Sequence, residues 1–353
     1  MRKGRSNPSV TIRDIAKEAG FAASTVSIVL NNAPLARYIR AATKQKIEDV
    51  AKKLRYSPNQ LARSLRSQRN HTVGVMVFDL TDPFCTPILR GIESTLYRSN
   101  YVPILADAHN DPARFERSLE MLLERRVEAL IVVANWLFVD ITVLADLEKR
   151  SIPTIMIGRE LTETISSVVV DNEGGARLGI EHLFKLGHRK IAFIRGPKFI
   201  ADSGQRWQGI RFFARSAGLK INSKLVAELP NDPDHAYDMA YRLTEEFIRK
   251  GPPFTALMAY DDITALGAMR ALVKSGIRVP DQCSVIGFDD TAPAALSLPA
   301  LTTIRQPMET MGSAAVETIT NAINASLERL EFPPTHRRLP PELVVRESTS
   351  RPS

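Results

Sequence analysis

The chain is 353 residues long, 44% hydrophobic and 24% charged, with a formal net charge of +8, which suits two or three domains with a sizeable core and excludes a single small module. Its two cysteines, Cys85 and Cys283, form no CxxC pair, so neither a disulfide framework nor a metal site is expected. No run of about 18 apolar residues occurs, and MRKGRSNPSV has no apolar core of signal-peptide length, which predicts a soluble, cytoplasmic protein without membrane contact.

The charge is unevenly placed. Residues 1–70 hold 15 Lys and Arg against 4 Asp and Glu, whereas residues 71–353 hold 32 against 35. A small basic domain joined to a near-neutral larger one is the electrostatic footprint of a nucleic-acid or anionic-membrane partner.

From Thr11 the pattern is helical, with Ile12, Ile15, Ala16 and Ala19 at helical spacing, Thr11 as cap and Asp14 three residues later as in a capping box. Gly20 ends that helix. A second short helix fits Ala23 to Asn31 with Val26, Val29 and Leu30 inward, and a third runs from about Ala42 to Leu54 on Ile47, Val50, Ala51 and Leu54. Two short helices joined by a tight Gly turn, with a third behind them, describe a helix-turn-helix. The outer face of the second helix carries Ser24, Ser27, Ile28 and Asn31, and no Arg, Lys, Gln or Glu.

The stretch SPNQLARSLRSQRN follows, where Pro58 opens a helix and Leu61 and Leu65 share a face. About ten residues are too few to hold a helix unaided in water, so the segment is a plain linker or one that folds when something is bound.

Beyond residue 71, short apolar runs alternate with helical segments: VGVMVF, VPILA, ALIVVA, PTIMIG, SVVV, KIAFI, TALMAY and SVIGF. Such runs argue an α/β fold with doubly wound parallel sheets. Roughly 280 residues exceed what one sheet usually needs, so two lobes are expected, with a ligand site where the carboxyl ends of their strands face each other. No GxSxG, Walker loop, HExxH or GxGxxG is present, so no enzyme and no cofactor are expected.

VTIRDIAKEAG, STVSIVLNN, YSPNQLARSLRSQR, RGIE, VDNEGGARLGIEHLFKLGHRKIAFIRGP, RWQG and SVIGFDD, in this order and spacing, resemble the lactose/galactose repressor family of bacterial transcription factors from about Ser9 to Ser348. The resemblance implies a homodimer with a helix-turn-helix domain (1–57), a hinge helix and linker (58–70) and a two-lobed, periplasmic-binding-protein-like core (71–353). The implied lobes are about 72–170 with 301–331, and 171–299 with 333–348. It further implies a palindromic double-stranded operator and a small-molecule effector between the lobes, with repression as the expected outcome by analogy.

DNA contacts are expected from Thr11, Ala23, Ser24, Thr25, Ser27, Ile28 and Asn31, from Arg37 and Arg40, and from the hinge residues Asn59, Ala62, Leu65 and Arg66. By the resemblance Leu65 wedges into the minor groove. Ile28 offers apolar contact to thymine methyls. The chain departs from the family pattern in having Ala22 where a Ser cap is usual, and in APLARYIRAATK, which lengthens the connection between the second and third helices. For the effector, the matching positions are Phe84 as an aromatic platform, Cys85 where many relatives place a second aromatic, and Arg206 and Asp289 as a polar clasp. Asp261 stands at the cleft mouth and Asp171 near a crossover between lobes. Such groups suit a sugar or other polyol, whose hydroxyls donate to carboxylates and accept from guanidinium. The competing reading is an α/β enzyme or transport-type solute-binding protein carrying a vestigial DNA-binding module.

Overall fold

The computed structural model describes residues 10–31, 33–56, 69–134, 152–198, 200–230, 236–251 and 253–352. The chain divides into two units, Met1–Asn70 and His71–Ser353.

In the first unit α1 (Ile12–Ala19), α2 (Ala23–Leu30) and α3 (Ala41–Lys53) enclose a small core of Ile15, Ala19, Val26, Val29, Ile47 and Ala51. The capping box at the start of α1 forms: the Thr11 N–H and hydroxyl both donate to Asp14 Oδ2, at 2.8 and 2.7 Å. At the other end Gly20 takes φ 77° and donates its N–H to the Ala16 carbonyl, a left-handed conformation that a side chain would oppose. The connection between α2 and α3 contains a 3-10 turn, Pro34–Tyr38, which the apolar spacing did not predict.

The second unit contains two parallel sheets. The first consists of β1 (Thr72–Val77), β2 (Val102–Asp107), β3 (Ala129–Val133), β4 (Thr154–Ile157), β5 (Ser166–Val170) and β11 (His336–Leu339), in the order β11-β5-β4-β3-β1-β2. Alternate residues of each strand face opposite ways. Val73, Val75 and Val77 pack under α4 (Cys85–Arg98) and α11 (Met308–Leu327), while Met76 and Phe78 pack under α5 (Pro112–Glu124). The α4 and α11 axes approach closely at Gly91 and Gly312, where a methyl would run into the backbone carbonyl of Glu309 or Ile88.

The second sheet consists of β6 (Ile191–Arg195), β7 (Val226–Glu228), β8 (Ala256–Ala259) and β9 (Ser284–Ile286), in the order β7-β6-β8-β9. Helices α6 (Asn172–Leu186) and α7 (Ala201–Ser216) cover one face, and α8 (Ala236–Lys250) and α9 (Asp262–Lys274) the other. A short helix, α10 (Ala292–Leu296), follows β9.

The expected division of the C-terminal segments needs two corrections. Residues 336–339 pair in parallel with β5 and so extend the first sheet, although they were placed with the second lobe. Conversely, β10 (Thr303–Arg305), expected in the first lobe, runs beside the end of the second sheet, with Gly287 and Asp289 donating to the Thr302 and Ile304 carbonyls at 3.0 and 2.7 Å. β12 (Glu342–Val344) pairs antiparallel with β10. The reason is the crossover topology: a short apolar run shows that a strand exists, while the sheet it joins depends on partners far away in sequence.

Candidate functional site

In the first unit the predicted reading face of α2 is present but unevenly exposed. Ala23, Ser24 and Asn31 are exposed, while Thr25, Ser27 and Ile28 are half-buried. Ile28 lies outside the group that packs on the small core. Asn31 is already engaged, since its amide donates to the Ser27 carbonyl at 2.8 Å and to Ser27 Oγ at 3.1 Å. Thr11 is engaged likewise, its hydroxyl turned onto Asp14, and these hydrogen bonds hold the Asp14 carboxyl below its ordinary pKa. Ala22 stands at the N-cap of α2 and supplies no side-chain acceptor to the first amides of that helix. Arg37 and Arg40 are exposed on the connection to α3. The hinge residues Asn59, Ala62, Leu65 and Arg66 lie outside the described residues.

In the second unit the structure brings Arg206 and Asp289 together. Arg206 projects from α7 and is only 7% exposed. Its Nε donates to Asn172 Oδ1 at 2.8 Å and its Nη1 to the Tyr260 carbonyl at 2.6 Å, and Nη2 stands 3.5 Å from Asp289 Oδ1. The guanidinium lies 3.6 Å from the centroid of the Phe288 ring and 4.7 Å from that of Tyr260, so the cation rests against aromatic faces. Burial disfavours its charge, but Asp289, Tyr260, Asp202 and Asp261 overcome that and raise its pKa.

Asp289 is held in place from the crossover. Gln306 Nε2 donates to its Oδ1 at 2.6 Å. Its backbone φ of 116° is a left-handed conformation unusual for a non-glycine residue. Burial raises the Asp289 carboxyl well above its ordinary range, with Arg206 opposing. Burial also raises Asp202 to about 6, again against Arg206.

The remaining predicted residues have other surroundings. Asp171 and Asp261 are helix caps, accepting from Gly174 N at 3.0 Å and Thr264 N at 2.7 Å. Phe84 and Cys85 are buried in the first-lobe core under α4. Cys85 is fully enclosed, and burial, with Asp82, Asp79 and Asp107 nearby, pushes its thiol above the usual range. Cys85 therefore presents no surface to a ligand in this conformation, because it opens α4 facing the sheet.

Sequence reasoning missed Asn172, Tyr260, Phe288 and Asp202 around the guanidinium, and Gln306 on Asp289. Asn172, Tyr260 and Phe288 each adjoin a residue that was named, and Gln306 directly follows β10. It also missed Asp262, a fully buried carboxylate at the start of α9. Asp262 Oδ2 accepts from Thr291 N and Oγ1 at 2.7 and 3.0 Å, and Oδ1 accepts from Thr303 Oγ1 at 2.5 Å. These bonds fasten α9 to β10. Burial raises Asp262 to about 7, with the hydrogen bonds from Thr303 and Thr291 opposing.

Among the described residues no cluster of His, Cys, Asp and Glu fits a metal ion, and no helix is long and apolar enough to cross a membrane.

The family model for bacterial regulatory proteins of the lacI family matches residues 11–59, and that for a periplasmic binding protein-like domain matches residues 180–349. The HTH-type transcriptional repressor PurR of Haemophilus influenzae (strain PittEE) is 32% identical over 344 residues, covering 96% of this chain and 98% of its own. The chain belongs to the lacI family. Its function is transcriptional regulation.

Solved structures of the family share the fold. The lac repressor dimer bound to operator and the anti-inducer ONPF matches with a TM-score of 0.83 and 27% identity, covering 97% of this chain and 99% of that one. The complex of the transcriptional regulator CelR with cellobiose matches with a TM-score of 0.71 and 29% identity, covering 96% and 99%. These lacI-family relatives are transcription regulators, and the matches indicate no enzyme family.

Proposed function

We propose that this lacI-family chain is a cytoplasmic repressor that binds a palindromic operator as a homodimer, with operator affinity set by a small polar effector. It acts by binding and not by catalysis. In this reading residues 1–57 bind DNA, 58–70 form the hinge, and 71–353 hold the effector and the dimer contacts. The observation that carries the effector half is the Arg206–Asp289 pair, buried and joined through Gln306 to the crossover. A guanidinium and carboxylates against aromatic faces suit a sugar or other polyol. Asp261 and Asp171, which also cap helices, complete the acidic rim of the site. Phe84 remains the platform on the first-lobe side.

On the DNA side, Ser24, Thr25 and the uncapped amides of α2 meet phosphates, along with Arg37 and Arg40. Ala23 permits close approach, and Ile28 touches thymine methyls. Ser27 and Asn31, bonded to each other, present the remaining polar atoms of the face. Thr11 contributes through α1, whose start it caps. Leu65 is the minor-groove wedge, with Arg66, Asn59 and Ala62 around it.

The test is selection of duplexes from random DNA by the purified full-length protein, followed by titration of the selected site with each sugar or nucleobase that raises the melting temperature. A palindromic site with A·T pairs opposite Ile28, and an affinity that changes with one such compound, are expected. A G-rich half-site at that position would overturn the Ile28 assignment, and absence of any preferred duplex would overturn the reading as a whole.

A further inference from the structure

At the C-terminal end of α11 lies a cavity of about 570 Å³, a size that takes a small organic ligand. Its wall is built from the starts of β4 and β5, the last turns of α11 and the segment leading into β11. The strands of this sheet are parallel, so the cavity lies at their amino ends, whereas Phe84 and Asp171 follow β1 and β5 at the carboxyl ends. Ser166, on the wall, and Asp171 are separated by about 16 Å along β5. The cavity is therefore a different place from the effector site.

The chemistry of the wall is one-sided. Ile152, Ile165, Leu330 and Phe332 supply apolar surface. Three of its hydroxyls are already engaged: Thr154 Oγ1 donates to the Ile152 carbonyl at 3.0 Å, Ser166 Oγ accepts from the Thr335 N–H at 3.1 Å, and Thr164 Oγ1 lies 2.9 Å from Thr162 Oγ1. A cation and a hydroxyl stay available. Among the described residues no acid pairs with the Arg329 guanidinium and no hydrogen bond engages Ser326 Oγ.

Arg329 is held on the wall by the way α11 ends. Its φ of 55° is left-handed, a conformation that favours glycine. Its N–H donates to the Ser326 carbonyl at 3.2 Å, and the Leu330 N–H donates to the Ala325 carbonyl at 2.9 Å. Glycine would end the helix with less strain, but the cavity would then lack its charge. Beside Pro334, which also lines the cavity, Thr335 Oγ1 is buried with no hydrogen-bond partner, an atom of the kind that a bound polar group satisfies.

We infer that this cavity is a second ligand site, separate from the effector cleft, for a small organic acid with an apolar ring body. The carboxylate pairs with Arg329 in the fork geometry that a guanidinium offers and accepts from Ser326. The ring packs on Ile165 and Phe332. A sugar suits the site poorly, because most of the wall hydroxyls are engaged and the surface between them is apolar.

The test titrates the full-length protein by calorimetry with naphthoate and with its uncharged counterpart naphthamide, in the wild type, Arg329→Gln and Ser326→Phe. Arg329 and Ser326 are exposed, and unchanged thermal unfolding of each variant confirms that the fold is kept. Naphthoate should bind the wild type with a Kd of about 1 mM or tighter, and naphthamide about tenfold more weakly. Arg329→Gln should weaken naphthoate binding about tenfold and erase the difference between acid and amide. Ser326→Phe, which places a ring in the cavity, should abolish binding; if that variant unfolds, Arg329→Gln decides alone. No binding of naphthoate, equal binding of acid and amide by the wild type, or wild-type affinity for the acid in either folded variant would overturn the inference. Operator selection is read separately, so none of these outcomes bears on the operator-binding reading.

Discussion

At the scale of single residues, two buried ionisable groups carry the most consequence. Arg206 is a buried cation whose charge acts on Asp289, Asp202 and Asp261, so Arg206→Ala leaves the buried Asp289 without its ion-pair partner. Breaking a buried pair in this way costs about 3 to 5 kcal/mol, and the loss should appear as a lower midpoint in urea together with loss of any effector response. Asp262 makes a prediction with a definite sign. Its carboxyl is raised from 3.8 to about 7 by burial, so between those values the folded chain keeps a proton that the unfolded chain releases. Its contribution to stability is therefore fully present below about pH 4 and is lost as pH rises through about 7. Asp202, raised to about 6, acts in the same direction. Urea unfolding of Asp262→Asn at pH 5 and pH 7 should show a smaller fall in stability than the wild type. An equal fall would remove Asp262 from this role.

At the scale of elements, the α4–α11 pair and the α1 cap differ in what they tolerate. Gly91 and Gly312 let two helices approach until backbone meets backbone, and no side-chain rearrangement relieves a methyl placed there. Gly91→Ala should cost about 1 to 3 kcal/mol by forcing the helices apart, read as a lower thermal midpoint of the second unit. The capping box of α1 was legible because Thr11 and Asp14 stand at the required spacing in a local motif. The 3-10 turn was not, because Leu35 and Tyr38 are apolar residues left exposed, and apolar spacing predicts burial.

At the scale of the whole molecule, repression controlled by an effector is a linkage between two sites. A compound that changes operator affinity by some factor must find its own affinity changed by the same factor when operator is bound. Titrating the compound into free protein and into the protein–duplex complex should give two dissociation constants in that ratio. Equal constants alongside altered operator affinity would break the linkage and point to an indirect effect. Within the second unit the crossover is tied to its surroundings where Thr303 on β10 donates to Asp262 and Gln306 donates to Asp289.

What the sequence determined by itself was whatever depends on near neighbours: the three helices of the first unit, the parallel strands of the second, and the segregation of positive charge into the first 70 residues. Periodicity and capping are local, and motif order along the chain carried the family. Tertiary structure alone decided which sheet residues 336–339 join, that Cys85 faces the core, that Asn172, Tyr260 and Phe288 surround one guanidinium, and that Gln306 holds Asp289 beside it. Those outcomes depend on contacts between residues 17 to about 170 positions apart, which no spacing rule specifies. Arg206 and Asp289 were named from the sequence as a pair. Only the fold supplied the aromatic faces, the Asn172 amide oxygen that accepts from Arg206 and the Gln306 amide that donates to Asp289.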